Sequence, residues 1–162
     1  MSCCARLLGI NRSAVLGAVI AGGKSTRFGS DKALARLRGR TLIDQVAETL
    51  ATQTADLVVV GREHGGLRHI PDQPLPGLGP LGGIAAALIE AKARGYAAVL
   101  TAPCDAYDLP ADLLGQLFPY PAYAASLPVI GLWPAWAADH ALALLASEDV
   151  HSIKGFAQRI SA

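Results

Sequence analysis

Short apolar runs alternate with segments of helical periodicity along most of this chain. Val15–Ile20, residues 56–61 and residues 96–102 have the length and the apolar content of buried strands. Helices are predicted over residues 41–52, 81–94, 110–118, 134–146 and 152–160, with a further strand over residues 127–133. Because strands that are apolar on both faces must be covered on both sides, this alternation predicts an α/β fold: a three-layer, Rossmann-like, mostly parallel sheet with helices on both faces.

Composition limits the class of protein. Hydrophobic residues make up 52% of the 162 residues and charged residues 17%, which predicts one globular domain over residues 14–162 after a disordered extension at residues 1–13. The formal net charge of +1 argues against a nucleic-acid-binding surface, and no apolar run reaches the roughly 18 residues of a membrane-spanning helix. The three cysteines form no disulfide framework and no heptad repeat is present, so we expect a monomer in the cytoplasm.

A glycine-rich segment follows the first predicted strand. Residues 20–32 read Ile-Ala-Gly-Gly-Lys-Ser-Thr-Arg-Phe-Gly-Ser-Asp-Lys. Gly22 and Gly23 allow an anion to approach the main chain closely, and Arg27 and Lys32 bring two cations to the same place. Ligands of parallel sheets bind at the carboxyl ends of the strands. The segment therefore predicts a polyphosphate site, and with it a nucleotide-binding enzyme.

Two better-known phosphate loops do not fit this segment. A P-loop ending at Gly23-Lys24-Ser25 would need its first glycine at position 18, which is alanine, and Gly17 lies one residue too early. A dinucleotide-binding fingerprint needs the spacing Gly-x-Gly-x-x-Gly, which the glycines at positions 22, 23 and 29 do not have. Both loops are therefore near misses, and the spacing argues against each of them.

A carboxylate follows the third predicted core strand. Asp105 would lie beside the glycine-rich segment at the same edge of the sheet. Mg²⁺ prefers oxygen ligands and usually takes one or two carboxylates plus substrate phosphates, so Asp105 is a candidate magnesium ligand. Asp108 is better placed than Asp105 to cap the helix predicted from Pro110. We interpret the neighbouring Cys104 as a packing residue, because a thiol beside a carboxylate is harder to ionise.

The remaining polar and aromatic residues give weaker signals. Residues 76–84 form a second glycine-rich stretch before a helix, preceded by Asp72, and could follow a flat ligand closely. Core or rim packing is predicted for Trp133 and Trp136. Surface positions are predicted for the four histidines, His64, His69, His140 and His151. Three arginines, Arg36, Arg38 and Arg40, are predicted to form a solvated stretch that could assist the binding of an anionic second substrate.

The glycine-rich segment resembles that of the MobA-type nucleotidyltransferases, the molybdenum cofactor guanylyltransferases. Their loop reads Leu-Ala-Gly-Gly-x-x-x-Arg-x-Gly-x-Asp-Lys. Ile20 replaces the leucine here, and seven fixed positions coincide: Ala21, Gly22, Gly23, Arg27, Gly29, Asp31 and Lys32. Related cytidylyl-transferring enzymes usually carry Ala-Gly at positions 22 and 23, so the second glycine is similar to the guanylyl branch.

The resemblance extends to the later segments. Family members carry Cys-Asp-x-x-x-x-Pro, as at residues 104–110, and its aspartate holds magnesium. They also carry Gly-Pro-Leu-x-Gly, as at residues 79–83, and an aspartate before it, matched by Asp72, that contacts the nucleotide. Where many relatives have asparagine after the second core strand, this chain has Gly61, which removes a side-chain contact and leaves Arg62 beside it.

The resemblance implies an activity and a set of site residues. The activity is Mg²⁺-dependent transfer of GMP from GTP to the terminal phosphate of molybdenum-molybdopterin, which forms the guanine dinucleotide cofactor and pyrophosphate; molybdoenzymes or their chaperones are implied partners. The implied catalytic residues are Arg27, Lys32 and Asp105, with Asp105 as the metal ligand. The implied nucleotide-binding residues are Ile20, Ala21, Gly22, Gly23, Lys32, Gly61, Asp72, Gly82 and Asp105.

Two departures from the family pattern concern the acceptor side. The stretch between Phe118 and Leu127 is shorter than in typical relatives, and the Asn-x-Asn-Thr-Pro segment that follows in relatives has no match before Ala162. We therefore expect an intact GTP side and a reduced acceptor side. Two alternatives stay open at this point. One is a related nucleotidyltransferase that uses CTP or another phosphorylated acceptor, such as a sugar 1-phosphate; the other is a nucleotide-binding module without turnover.

Overall fold

One mixed sheet forms the centre of the molecule. The structure is a computed structural model and describes residues 11–23 and 31–162. Within these residues the sheet contains β1 (Val15–Ile20), β4 (Asp56–Val60), β5 (His69–Ile70), β6 (Ala98–Pro103), β7 (Ala122–Tyr123) and β8 (Gly131–Pro134). Their order across the sheet is β5-β4-β1-β6-β8-β7. The first four of these neighbours are parallel, whereas β8 runs antiparallel to both β6 and β7.

Helices cover both faces of this sheet. They are α1 (Leu42–Ala51), α2 (Pro80–Arg94), α3 (Leu113–Gln116), α4 (Ala138–Ala146) and α5 (Ile153–Arg159). One core cluster joins the sheet to α1 and α3, and a second joins it to α2, α4 and α5. All six residues of β1 are buried: Val15 and Val19 belong to the first cluster, and Leu16, Ala18 and Ile20 to the second. The predicted three-layer α/β fold is confirmed.

The predicted ends of three helices are also confirmed. The Thr41 hydroxyl accepts the backbone N–H of Asp44 at the start of α1, so Thr41 is its N-cap. Helix α2 ends at Gly95, which takes the left-handed conformation (φ 79°) that a glycine adopts without strain. The Ser152 hydroxyl caps α5 by accepting the N–H of Gly155. Helices α1, α2 and α5 therefore begin or end at the residues predicted from their local sequence.

Five segments differ from the sequence-based predictions. The strand predicted over residues 127–133 is only β8, because a turn in which Ile130 N–H donates to Leu127 O precedes it. The helix predicted over residues 110–118 is the four-residue α3, and Asp108 does not cap it: the N-cap is Asp112. Strands β5 and β7 and a separate hairpin, β2 (Arg36–Leu37) with β3 (Arg40–Thr41), were not predicted. Each is two residues long, which is too short for a periodicity to register.

Three short 3₁₀ turns complete the described structure: Arg12–Ala14, Lys32–Leu34 and Ala135–Ala137. The first occupies the end of the predicted N-terminal extension, and residues 1–10 of that extension lie outside the described residues. Among the described residues, no helix combines the length and the apolar character needed to cross a membrane.

Candidate active site

A cleft opens at the carboxyl ends of β1 and β6. It has a volume of about 260 Å³, and it brings together segments that are distant in the sequence. Its lining comprises Ile20, Ala21, Gly22 and Gly23 after β1, Asp31, Lys32 and Ala33, Arg62 after β4, Pro80 at the start of α2, Pro103, Cys104 and Asp105 at the end of β6, and Val129. Six of the predicted site residues therefore share one cavity, which we call the cleft. Arg27 and Gly29 lie outside the described residues.

The main chain after β1 is packed tightly against the loop after β4. Ala21 N–H donates to Val60 O over 2.9 Å. A Cβ added to Gly61 would overlap the backbone N and Cα of Gly22, and Gly61 has a φ of +88°. The glycine at position 61 is therefore explained by two requirements of the backbone, a left-handed conformation and a close approach, and not only by the loss of a side-chain contact.

Gly61→Ala is expected to destabilise the fold by at least about 2 kcal/mol and to weaken GTP binding, because the new methyl group must displace Gly22. Gly95→Ala is the matched control, since Gly95 at the end of α2 has a similar φ (+79°) but, among the described residues, nothing within 4 Å of an added Cβ. It should cost about 1 kcal/mol from backbone strain alone and leave GTP affinity unchanged. Thermal unfolding and calorimetric titration with GTP measure both effects. Equal effects of the two variants would contradict the close-approach explanation.

Asp72 lies behind the glycines of this loop. A Cβ on Gly22 would overlap its carboxylate, and a Cβ on Gly83, in the first turn of α2, would lie 3.4 Å from its Oδ1. Gly82 is a close neighbour as well, at 3.9 Å from the Asp72 Cβ by the same measure. Burial raises the pKa of the Asp72 carboxyl, and among the described residues its side chain has no hydrogen-bond partner. Asp72 therefore offers a half-buried acceptor beside the glycine loop.

Asp72→Asn is expected to raise the melting temperature at pH 7 by up to a few degrees. In a domain of this size, a small gain in the free energy of unfolding shifts the melting temperature by about that amount. A raised pKa in the folded state means that ionising the carboxyl costs folding free energy. This cost is absent below the unfolded pKa of about 3.9 and is complete above the folded pKa. The gain should therefore vanish as the pH falls towards about 3.5. Thermal unfolding at both pH values checks this, and a gain of equal size at both would contradict it.

An ion pair links Asp31 to Arg62 inside the cleft. Arg62 Nη1 donates to Asp31 Oδ1 over 2.9 Å, and Nη2 donates to Oδ2 in a second, parallel bond. These hydrogen bonds lower the pKa of Asp31 and raise that of Arg62. Asp31 Oδ1 also accepts the N–H of Ala33 over 3.1 Å and so caps the turn that carries Lys32. Sequence reasoning noted Arg62 but gave it no partner, because nothing local pairs two residues that lie so far apart in the chain.

The end of β6 brings Cys104 and Asp105 to the opposite wall. Burial, and next the charge of Asp105, raise the pKa of the Cys104 thiol to about 11, so it stays protonated at neutral pH. The interpretation of Cys104 as a packing residue is confirmed, since it packs against the core cluster on the α1 side. Asp105 is exposed in the cleft. No group of three or more His, Cys, Asp or Glu side chains in the described part of the chain could hold a metal by itself.

Two weaker predictions have mixed outcomes. Trp133 is fully buried against Tyr123 and Phe156, which confirms its packing role. Trp136 is 55% exposed and packs edge-on against His140, in line with packing at the rim. The surface interpretation of His64 is wrong: its side chain is only 15% exposed, and its Nε2 lies 2.6 Å from Asp44 Oδ1. The contact with the Asp44 carboxylate explains why this ring is largely buried. A single histidine in a sequence does not indicate such a partner, so the contact could not be predicted.

The basic stretch is solvated, as predicted. Its three arginines are exposed on the β2–β3 hairpin (Arg36, Arg38 and Arg40). Arg36 donates to Gly39 O over 3.3 Å, and Arg40 forms an ion pair of 2.6 Å with Glu48. Arg38 lines a second cavity of about 340 Å³, together with Tyr107 and Leu109. Part of that cavity's lining, residues 106–109, directly follows Asp105, and among the described residues it contains none of the predicted site residues.

Known proteins match this chain over most of its length. The family model described as MobA-like NTP transferase domain matches residues 17–153. The molybdenum cofactor guanylyltransferase of Sinorhizobium fredii is 35% identical over 159 residues, covering 87% of this chain and 73% of that protein. The enzyme of the same name from Cereibacter sphaeroides is 34% identical, covering 90% of this chain and 81% of its own.

Solved structures share the fold. Molybdopterin-guanine dinucleotide biosynthesis protein A from Archaeoglobus fulgidus superposes with a TM-score of 0.68 at 23% identity, covering 89% of this chain and 79% of that one. A putative protein from Aquifex aeolicus gives a TM-score of 0.71 at 18% identity, covering 94% and 85%. At these identities the structures support the architecture, and the family model and the sequence relatives establish the family. This chain belongs to the MobA-like NTP transferase family.

Proposed function

We propose that this protein transfers GMP from GTP to the terminal phosphate of a molybdopterin-type cofactor and releases pyrophosphate. The observation that carries the proposal is the cleft, in which Gly22 and Gly23, Lys32 and Asp105 line one cavity at the carboxyl ends of β1 and β6. The relatives that share this family are named molybdenum cofactor guanylyltransferases.

The reaction needs no strong general base. An oxygen of the acceptor phosphate attacks the α-phosphorus of GTP, a new P–O bond forms, and the bond to the β-phosphate breaks so that pyrophosphate leaves. A phosphate monoester has a second pKa near ~6, so the acceptor is largely dianionic at neutral pH. The protein therefore contributes positioning and charge neutralisation.

Residues in the cleft and next to it would have different roles in this reaction. The backbone at Gly23 is exposed and lines the cleft, where its N–H would bind the triphosphate. Lys32 would neutralise charge at the α-phosphate, and Arg27, which lies outside the described residues, would act on the departing pyrophosphate. Asp72 would accept hydrogen bonds from donor groups of the nucleoside, because an ionised carboxylate can only accept.

A magnesium ion fits this set of residues. Asp105 presents one exposed carboxylate in the cleft, and Mg²⁺ is commonly held by one or two carboxylates together with substrate phosphates. When bound, the ion would offset phosphate charge and orient the phosphate oxygens. Asp105 is the residue that would hold it. The monomeric state, the cytoplasmic location and contacts with molybdoenzymes or their chaperones stay predictions.

Pyrophosphate release tests the proposal. The purified protein is mixed with Mg²⁺, GTP and molybdenum-loaded molybdopterin, and CTP replaces GTP in a parallel reaction. Release that requires both GTP and the acceptor is the expected result. Release with CTP, or only with another phosphorylated acceptor, would mean that the protein catalyses a different nucleotidyl transfer known for this class of fold. GTP binding without release would contradict the transferase and leave a nucleotide-binding module.

A further inference from the structure

We propose that Arg62 is a positioning residue that holds Lys32 at the wall of the cleft by way of Asp31. The inference rests on the proposed function for the role of Lys32. Arg62 and Asp31 are joined by two parallel hydrogen bonds, and their side chains are 30% and 33% exposed. A bidentate pair of this kind fixes orientation as well as charge, and partial burial protects it from screening.

Asp31 links Arg62 to the turn that carries Lys32, because it also accepts hydrogen bonds from that turn. Its Oδ1 accepts the N–H of Ala33, and its backbone oxygen accepts the N–H of Leu34 over 3.0 Å. Ala33 is 2% exposed and packs in the core cluster on the α1 side. Lys32 therefore lies between a neighbour tied to Arg62 and a neighbour buried in the core, while it is itself exposed in the cleft.

Arg62 can act as a fixed support because the loop after β4 is itself held. Gly61 N–H donates to Ile70 O over 2.9 Å, and Gly61 packs against the backbone of Gly22. Two residues after Arg62, His64 contacts Asp44 in the first turn of α1. The loop thus contacts the chain on both sides of the Lys32 turn, at Asp31 before it and at Asp44 after it.

Electrostatics separate this role from direct phosphate binding by Arg62. Both Nη groups of Arg62 already donate to the two oxygens of Asp31, so the fork is occupied and its charge is offset. Removing Arg62 would leave a carboxylate in a site for polyphosphate, whereas removing the charge of Asp31 would leave an extra cation there. The two changes should affect GTP affinity in opposite directions. If the pair positions Lys32, however, both should lower kcat.

A double-mutant cycle tests this proposal. Arg62→Met keeps the length of the side chain without its charge, and Asp31→Asn keeps its shape. Each is expected to lower kcat by roughly tenfold to a hundredfold, the scale of a small misplacement of a catalytic group. The double variant should be no slower than the worse single variant, because both remove one interaction. Arg62→Lys should restore only part of kcat, since an ammonium cannot form two parallel bonds.

Amide hydrogen exchange without nucleotide supplies a readout that does not depend on turnover. The amides of Ala33, Leu34 and Ala35 donate within the turn and should exchange faster in both single variants. Arg159→Met is the matched control, because Arg159 forms a 2.8 Å ion pair with Asp149 away from the cleft. It should change neither kcat nor exchange in this turn.

Three outcomes distinguish failure of the proposed function from failure of the positioning role of Arg62. If wild-type protein releases no pyrophosphate, the proposed function fails, but faster exchange in the two variants would still support the hold of Arg62 on the turn. Unchanged exchange would overturn the positioning role whatever the turnover. A lower GTP affinity in Arg62→Met with unchanged kcat would also overturn it and would make Arg62 a direct ligand of the phosphates.

Discussion

Lys32→Ala is expected to lower kcat by about 10²–10³-fold while raising the Kd for GTP by less than about tenfold. Lys32 lies in the cleft at the end of the glycine-rich segment, where the α-phosphate would be positioned by backbone groups. Negative charge on that phosphate increases as the acceptor attacks. An ammonium group there stabilises the transition state more than the ground state, and only such a difference raises kcat. Single-turnover kinetics together with a calorimetric titration with GTP separate the two effects.

Lys154→Ala is the matched control for this prediction. Lys154 is exposed on α5, outside the residues that line the cleft, and alanine is a good helix former at that position. Its removal should leave kcat and Kd within a factor of about two. Equal losses in kcat and in GTP affinity for Lys32→Ala would mean that Lys32 contributes uniform binding instead of transition-state stabilisation.

The architecture could be predicted because a strand that is buried on both faces needs a continuous run of apolar or small residues. Each residue of β1 must be apolar or small, since the odd positions contact the α1 side and the even positions the α2 side. Such a run is visible without any tertiary information. The predictions failed where an element is short or depends on its partner. Strands β5 and β7 hold two residues each and exist because β4 and β8 offer free hydrogen-bonding edges.

The site could be predicted only in part, for a related reason. Gly22, Gly23 and Asp105 directly follow core strands, so the fold alone brings them to one edge. The contact of Gly61 with Gly22 depends on the register of β1 against β4, in which Ile20 pairs with Val60. The pairing of Arg62 with Asp31 depends on the same register. Contacts of this kind have no local pattern, so a single sequence does not reveal them.

Asp105→Asn is expected to lower turnover at least about a hundredfold and to raise the Mg²⁺ concentration needed for half-maximal activity. The substitution keeps the size of the side chain but removes the negative charge that makes a carboxylate a good ligand for a hard cation. Asp105 lies exposed in the cleft, so asparagine leaves no buried group unpaired and the fold should be unaffected. A titration of pyrophosphate release with Mg²⁺ measures both quantities.

Asp108→Asn in the same loop is the matched control for this experiment. Asp108 is exposed, lies outside the cleft and has a φ of +59°, a left-handed conformation that asparagine tolerates as well as aspartate does. It should leave both turnover and the Mg²⁺ dependence within a factor of about two. If the two variants lost activity equally, the integrity of the loop would matter and the charge of Asp105 would not. If Asp105→Asn slowed turnover without changing the Mg²⁺ dependence, the carboxylate would act on the substrate directly, and the metal would have to be held by the phosphates alone.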